Sequence, residues 1–230
     1  MKNKKKVLII EPHSDDGLIS IGGFLEKNKS DYDYYFLLCL SSDVDLNHGH
    51  VDKKSREKEF IEYVNHYNGK WINGKYGNIS FPLDEDGNLD NYPKKKLISG
   101  IENVIQNIKP DILFIQGPSF HQDHIAVFDA TIAALRPTLE FYPKEIYIME
   151  NPTYVHSSGP NTDFKPNTYI ELTEEEINSK IKLFSKIFKS QIRPTGNCLS
   201  KDGIKSWARY RGIEARVKYA EALKLFSKII

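Results

Sequence analysis

Two short clusters in the chain combine residue types that can do chemistry. Pro12-His13-Ser14-Asp15-Asp16 sets one imidazole beside two carboxylates, and His121-Gln122-Asp123-His124 sets two imidazoles around a third carboxylate. Imidazole nitrogen and carboxylate oxygen are usual protein ligands of zinc. Three such ligands and one open position make a catalytic centre, because the open position admits the water to be activated. Together the clusters hold more donors than that, leaving carboxylate and imidazole for proton transfer. A plainer reading of the first cluster makes Asp15 or Asp16 the N-cap of a following helix and leaves His13 in water. The second cluster weighs against it, since both stand at the end of an apolar strand.

The elements that must position them follow one grammar. Val7-Leu8-Ile9-Ile10 opens the first unit as four consecutive apolar β-formers, the mark of a strand buried on both faces over about 6–10. Leu18, Ile21 and Phe24 then recur at helical spacing, which predicts a helix over 17–27. Residues 111–115 repeat the apolar run and break at Gly117-Pro118; Ile125, Phe128, Ile132 and Leu135 follow at helical spacing. Further strands are predicted over 34–40, 77–81, 145–149 and 169–172, and further helices over 55–67 and 97–108. Thr173 reads as the N-cap of a helix with an acidic first turn and Ile177, Ile181, Phe184 and Phe188 on one face. Residues 204–226 read as a last helix with Tyr219, Leu223 and Phe226 as core candidates.

Strands alternating with helices imply an α/β fold, a Rossmann-like, mostly parallel sheet with helices on both faces. With the strand order 3-2-1-4-5, the first and fourth strands flank the topological switch point, and their C-terminal ends bring both clusters into one crevice. No G-x-G-x-x-G follows the first strand, and carboxylates there would repel a pyrophosphate, which argues against a dinucleotide site. His48 and His50, in the polar loop 41–53, are most simply solvated. The acidic stretch 82–92 lacks the spacing and terminal Glu of a calcium loop. Residues 151–167, with three prolines and Gly159 but no periodicity, predict a long surface loop that could wall a substrate.

Bulk properties exclude several classes. The 230 residues suit one α/β domain over 1–230, with no repeat or linker dividing it. A formal net charge of +1 points to neither nucleic acid nor an anionic membrane surface. Cys39 and Cys198 are isolated and form no metal or redox motif, so they read as unpaired thiols of a reducing compartment. The basic start leads into an apolar run that Glu11 ends too early for a signal peptide or a membrane span. The expectation is a cytoplasmic protein with no membrane insertion.

The Pro12-His13-Ser14-Asp15-Asp16 cluster with Gly22-Gly23, followed by His121-Gln122-Asp123-His124, resembles the PIG-L/LmbE family of zinc-dependent N-deacetylases. That family typically reads P-H-P-D-D-E and later H-P-D-H. Arg56 and Glu59, Lys180, Ser190-Gln191, Arg211-Gly212 and Tyr219-Ala220-Glu221 match weaker elements of it, so the similarity spans most of the chain. Ser14 stands where the family has Pro, and Gly17 where it has Glu. The resemblance implies that His13, Asp16 and His124 hold one Zn2+ per chain, with Fe2+ as an alternative occupant. It implies that Asp15 is the general base, that His121 stabilises the oxyanion or protonates the leaving amine, and that Asp123 orients His121. Arg56 would bind substrate; the plain alternative is an i,i+3 pair with Glu59. The expected activity is hydrolysis of the N-acetyl group of an amino sugar such as N-acetylglucosamine, or of a sugar conjugate, by a monomer or a homo-oligomer. A non-sugar amide, or a non-catalytic binding role on the same scaffold, stays open, with Gly17 as the one hint of the latter.

Overall fold

Val7, Leu8, Ile9 and Ile10 are all fully buried, because the strand that carries them is central and covered on both faces. The computed structural model describes residues 4–46, 49–154 and 164–230. In chain order the elements are β1 (Lys5–Glu11), α1 (Asp16–Lys27), β2 (Tyr32–Leu38), β3 (Val44–Leu46), β4 (Gly49–Val51), α2 (Lys53–His66), β5 (Lys70–Ile72), β6 (Gly74–Tyr76) and β7 (Ile79–Phe81). Then come α3 (Lys94–Ile108), β8 (Ile112–Gln116), α4 (Gln122–Ala134), β9 (Glu145–Met149), β10 (Thr168–Leu172), α5 (Glu174–Ile187), α6 (Lys201–Ala215) and β11 (Tyr219–Lys228).

The main sheet runs β10-β11-β9-β8-β1-β2-β5. Strands β5, β2, β1, β8 and β9 pair in parallel, and β11 lies antiparallel between β9 and β10. Counted among the parallel strands alone, this is the expected 3-2-1-4-5 order, and β1 and β8 are neighbours. Alternate β1 residues feed two cores. Val7 and Ile9 meet Phe24, Phe36 and Phe184 on the α1, α2 and α5 side, whereas Leu8 and Ile10 meet Ile101, Val104 and Val127 on the α3 and α4 side. Each such side chain contributes about 1.5–3 kcal/mol by leaving water.

Two expectations are corrected. The third parallel strand is the short Lys70-Trp71-Ile72, while 77–81 supplies β7, which pairs with β6 in a separate hairpin. Residues 204–226 are not one helix. Helix α6 ends as Arg216 turns left-handed at φ 60°, and a Cβ on Gly212 would lie 2.7 Å from the Lys218 carbonyl oxygen, so the turn needs a bare backbone there. The following Tyr-Ala-Glu-Ala-Leu-Lys-Leu segment is rich in helix formers, yet pairing with β9 and β10 overrides that local preference. Tyr219 and Leu223 are buried as expected; Phe226 is 44% exposed. The Thr173 cap is present as a capping box with Glu176.

Gly22-Gly23 marks a break in α1. Ile21 leaves helical geometry at φ −128°, and the Gly23 N–H donates to Glu221 Oε1 at 2.7 Å. Phe24 N–H donates to Glu221 Oε2 at 2.8 Å, and the Ile19 carbonyl accepts from Lys180 Nζ at 2.7 Å. Lys180 and Glu221 close the exchange with a buried 2.7 Å ion pair. A Cβ on Gly23 would fall 2.3 Å from a Leu172 methyl, so a larger residue there would have to displace Leu172. Removing one partner of such a pair strands the other charge. Lys180→Met is therefore expected to lower unfolding stability by about 3–5 kcal/mol in a urea titration; a loss of only a few tenths would mean that the pair does not hold the kink.

Candidate metal centre

His13 lies in the loop after β1, Asp16 opens α1, and His124 sits in the first turn of α4. Because β1 and β8 are parallel neighbours, the loops at their C-terminal ends meet. His13 Nδ1 lies 3.2 Å from His124 Nε2 and 3.4 Å from Asp16 Oδ2, and His124 Nε2 lies 3.3 Å from Asp16 Oδ2. Bonds of about 2.0–2.1 Å in a tetrahedron separate donors by about 3.3–3.4 Å. This triangle of two nitrogens and one oxygen therefore has the size and chemistry of a zinc site with one corner open, and these residues could hold a metal ion.

Asp16 and His13 are braced. Asp16 Oδ2 accepts from the His13 backbone N–H at 2.8 Å, and its Oδ1 accepts from Asn151 Nδ2 at 2.8 Å. The far nitrogen of His13, Nε2, meets Asp123 Oδ2 at 3.1 Å and Asp86 Oδ1 at 3.6 Å. Asp123 is fully buried and also accepts from the N–H groups of Gly87 (2.7 Å) and Leu89 (3.0 Å). Its Oδ2 stands 3.7 Å from His121 Nδ1, so the nearer imidazole is that of His13. Such carboxylates fix the tautomer and direction of a ligating histidine. His121 is the N-cap of α4, its Nδ1 accepting from Asp123 N–H at 3.2 Å. A backbone N–H can only donate, so a neutral His121 carries its proton on Nε2.

Asp15 occupies the N-cap position of α1 but makes no side-chain cap bond. Its carboxylate lines a cleft of about 370 Å³ with His13, Asp16, Arg56, Asp86 and His121. Arg56 is buried, and its guanidinium pairs with Asp86 rather than with Glu59. His50 is exposed and bonds Asp45 at 2.8 Å, away from this cleft; His48 lies outside the described residues, as do 155–163 of the long loop. Sequence reasoning missed Asp86 and Asn151. The acidic stretch 82–92 held the first, and the start of the aperiodic stretch 151–167 held the second.

Burial works to raise the Asp16 carboxyl pKa, but His124 and His13 beside it hold it well below the usual carboxylate range. Asp15 goes the other way, pushed up by burial and by the charge of Asp16. One loop thus carries a carboxylate committed to its neighbours and one with a raised proton affinity, the division of labour that acid–base sites use. For His121, burial and the adjacent His13 and His124 lower the pKa, which favours the neutral ring.

Solved structures of similar fold carry more than one activity. The N,N'-diacetylchitobiose deacetylase of Pyrococcus horikoshii matches with a TM-score of 0.70 at 18% identity, over 98% of this chain and 85% of that one. The A40926 pseudoaglycone deacetylase Dbv21 matches with a TM-score of 0.71 at 16% identity, over 100% of both chains. GalB, the 4-carboxy-2-hydroxymuconate hydratase of Pseudomonas putida KT2440, matches with a TM-score of 0.67 at 14% identity, over 98% of both. At these identities the likeness concerns the fold. No curated protein matches the chain. The PIG-L family, described as GlcNAc-PI de-N-acetylase, matches residues 8–135, more than half of the chain and the span that contains both His/Asp loops, and the chain belongs to that family.

Proposed function

We propose that the protein is a cytoplasmic zinc-dependent N-deacetylase that hydrolyses the acetamide of an amino sugar or sugar conjugate. The observation that carries this reading is the donor triangle of His13, Asp16 and His124 with the uncapped Asp15 carboxylate facing the same cleft. A zinc ion held there supplies Lewis acidity, which acidifies water and polarises a carbonyl. The chain's residues do the rest. Asp15 takes the proton of the attacking water, and the carbonyl carbon gains the new C–O bond. His121 Nε2–H hydrogen-bonds the developing oxyanion, and the proton held by Asp15 passes to nitrogen as the C–N bond breaks. Acetate and a free amine result. A second cleft of about 860 Å³ shares Asn197 and Cys198 with the first and is lined by Tyr169, Trp207 and Tyr210, room for the remainder of a sugar conjugate. Free thiols at Cys39 and Cys198 suit a reducing compartment.

Arg56 is the proposed contact to substrate hydroxyls or phosphate, and its pairing with Asp86 gives it a second task. Arg56→Ala is expected to lower kcat/KM roughly 10–100-fold, the usual scale for losing such an outer partner. It also leaves Asp86 without its cation, a loss on the order of 1.5–3 kcal/mol in a thermal or urea melt. Unchanged kinetics with a large fall in Tm would confine Arg56 to support.

The deciding experiment is a screen of zinc-loaded protein against N-acetylglucosamine, N,N'-diacetylchitobiose, and nucleotide- and inositol-linked N-acetylglucosamine, reading released amine and acetate. Release from one of them supports the proposal. A zinc-replete protein that releases neither product from any of them overturns it. Since a hydratase shares the fold, hydration of an unsaturated carboxylate is the comparison assay.

A further inference from the structure

Glu11 is the last residue of β1 and is fully buried, yet it is not among the donors of the metal centre. Its Oε2 accepts from the Gly17 N–H at 2.6 Å, in the first turn of α1. Its backbone carbonyl accepts from Cys39 N–H on the other side at 2.8 Å. The intervening residues are the loop that carries His13, Asp15 and Asp16. Glu11 therefore closes that loop: its main chain is anchored to the segment after β2, and its side chain holds the loop's far end at Gly17.

Gly17 is fitted to the same carboxylate. A Cβ there would lie 2.5 Å from the Glu11 carboxyl carbon and 2.7 Å or less from both of its oxygens, so that the strand residue fills the space any side chain on Gly17 would take. The N–H that Glu11 accepts is one of the orphan donors of a helix N-terminus, which the strand residue satisfies. Asp15, at the N-cap, makes no such bond. With Glu11 holding the helix end, the Asp15 side chain is left to the cleft.

We infer that Glu11 is a positioning residue of the metal loop, supplying from β1 the acceptor that holds the first turn of α1. The inference rests on the metal-centre reading above. It also accounts for Gly17, which is bare where the Glu11 carboxyl group stands. Removal of an outer support of this kind lowers metal affinity by about 10–100-fold.

The test compares side chains of equal length. Glu11→Gln keeps an acceptor for Gly17 N–H, while Glu11→Met keeps the volume and loses the acceptor. Zinc dissociation constants are measured by competition with a chromophoric chelator, beside thermal melts, and the double variant Glu11→Ala/Gly17→Glu moves the carboxylate onto the helix. Expected are near-wild-type affinity for Glu11→Gln, about 10–100-fold weaker zinc for Glu11→Met with Tm maintained, and recovery in the double variant to within about tenfold of wild type. Glu11→Met with wild-type zinc affinity overturns the inference while leaving the metal centre intact. A double variant that regains Tm without regaining zinc affinity overturns it as well, since Glu11 would then be a packing residue. Wild-type protein that binds no zinc overturns the metal-centre reading and this inference with it.

Discussion

His124→Ala is expected to leave the purified protein with little zinc after dialysis against a weak chelator. Protein zinc sites hold their ion with apparent free energies of about 10–16 kcal/mol at neutral pH. One of three protein donors then carries roughly 3–5 kcal/mol, or about two to four decades in dissociation constant. His124 is fully buried at one corner of the triangle, its Nε2 3.2 Å from His13 Nδ1. His13→Ala should act in the same direction, and also take one partner from Asp123 and Asp86, which both face its Nε2. Elemental analysis of the two variants beside wild type reads the outcome directly. Full occupancy in both would overturn the donor set. The same groups set the pH dependence of binding. Burial disfavours a charged His13, but Asp123, Asp16 and Asp86 outweigh it and raise its pKa well above the usual histidine value. A proton on that ring competes with the ion for Nδ1. Zinc affinity should therefore fall as pH drops through the raised His13 pKa, by about tenfold per unit for one displaced proton.

Both His/Asp loops were legible in the sequence because each follows a strand whose apolar run is unmistakable. Parallel order then placed the ends of β1 and β8 side by side. The braces were not legible, for a physical reason. Asp86 and Asn151 come from segments without periodicity, and only the closed fold brings Asp86 to within 3.6 Å of His13 or Asn151 to within 2.8 Å of Asp16. Strand β5 escaped notice because three residues, Lys-Trp-Ile, carry no alternation to read. The segment that became β11 misled through composition, since Ala, Glu, Leu and Lys favour a helix until neighbours on both sides offer ladders. Glu221 shows what that correction changes. On a helix it would have been one more surface carboxylate; on the strand it reaches the break in α1 and holds the helix that begins with Asp16.

Asp15→Asn and Asp16→Asn are expected to fail in opposite ways, although the residues are adjacent and chemically alike. Asp16 spends both oxygens as acceptors, Oδ2 toward His13 N–H and the donor triangle, Oδ1 toward the Asn151 amide. An asparagine there offers one oxygen and one NH2 group, so whichever way it turns, a donor faces a donor. Zinc affinity should fall at least as far as for loss of a histidine donor. Asp15 has no cap bond to lose and faces the cleft, its carboxyl raised by burial and by Asp16. Its asparagine variant should keep the ion and the fold, and lose roughly 10²–10⁴-fold in kcat, the usual worth of a positioned base. With Asp15 as the base, the acid limb of the wild-type pH–rate profile should report its deprotonation. Since Asp15 and the water it deprotonates titrate as a coupled pair, the apparent pKa of that limb belongs to neither alone. Metal analysis beside single-turnover rates decides the assignment. Loss of the ion in Asp15→Asn with retention in Asp16→Asn would exchange the two roles, and retention of both ion and activity in the two variants would remove this loop from the active site.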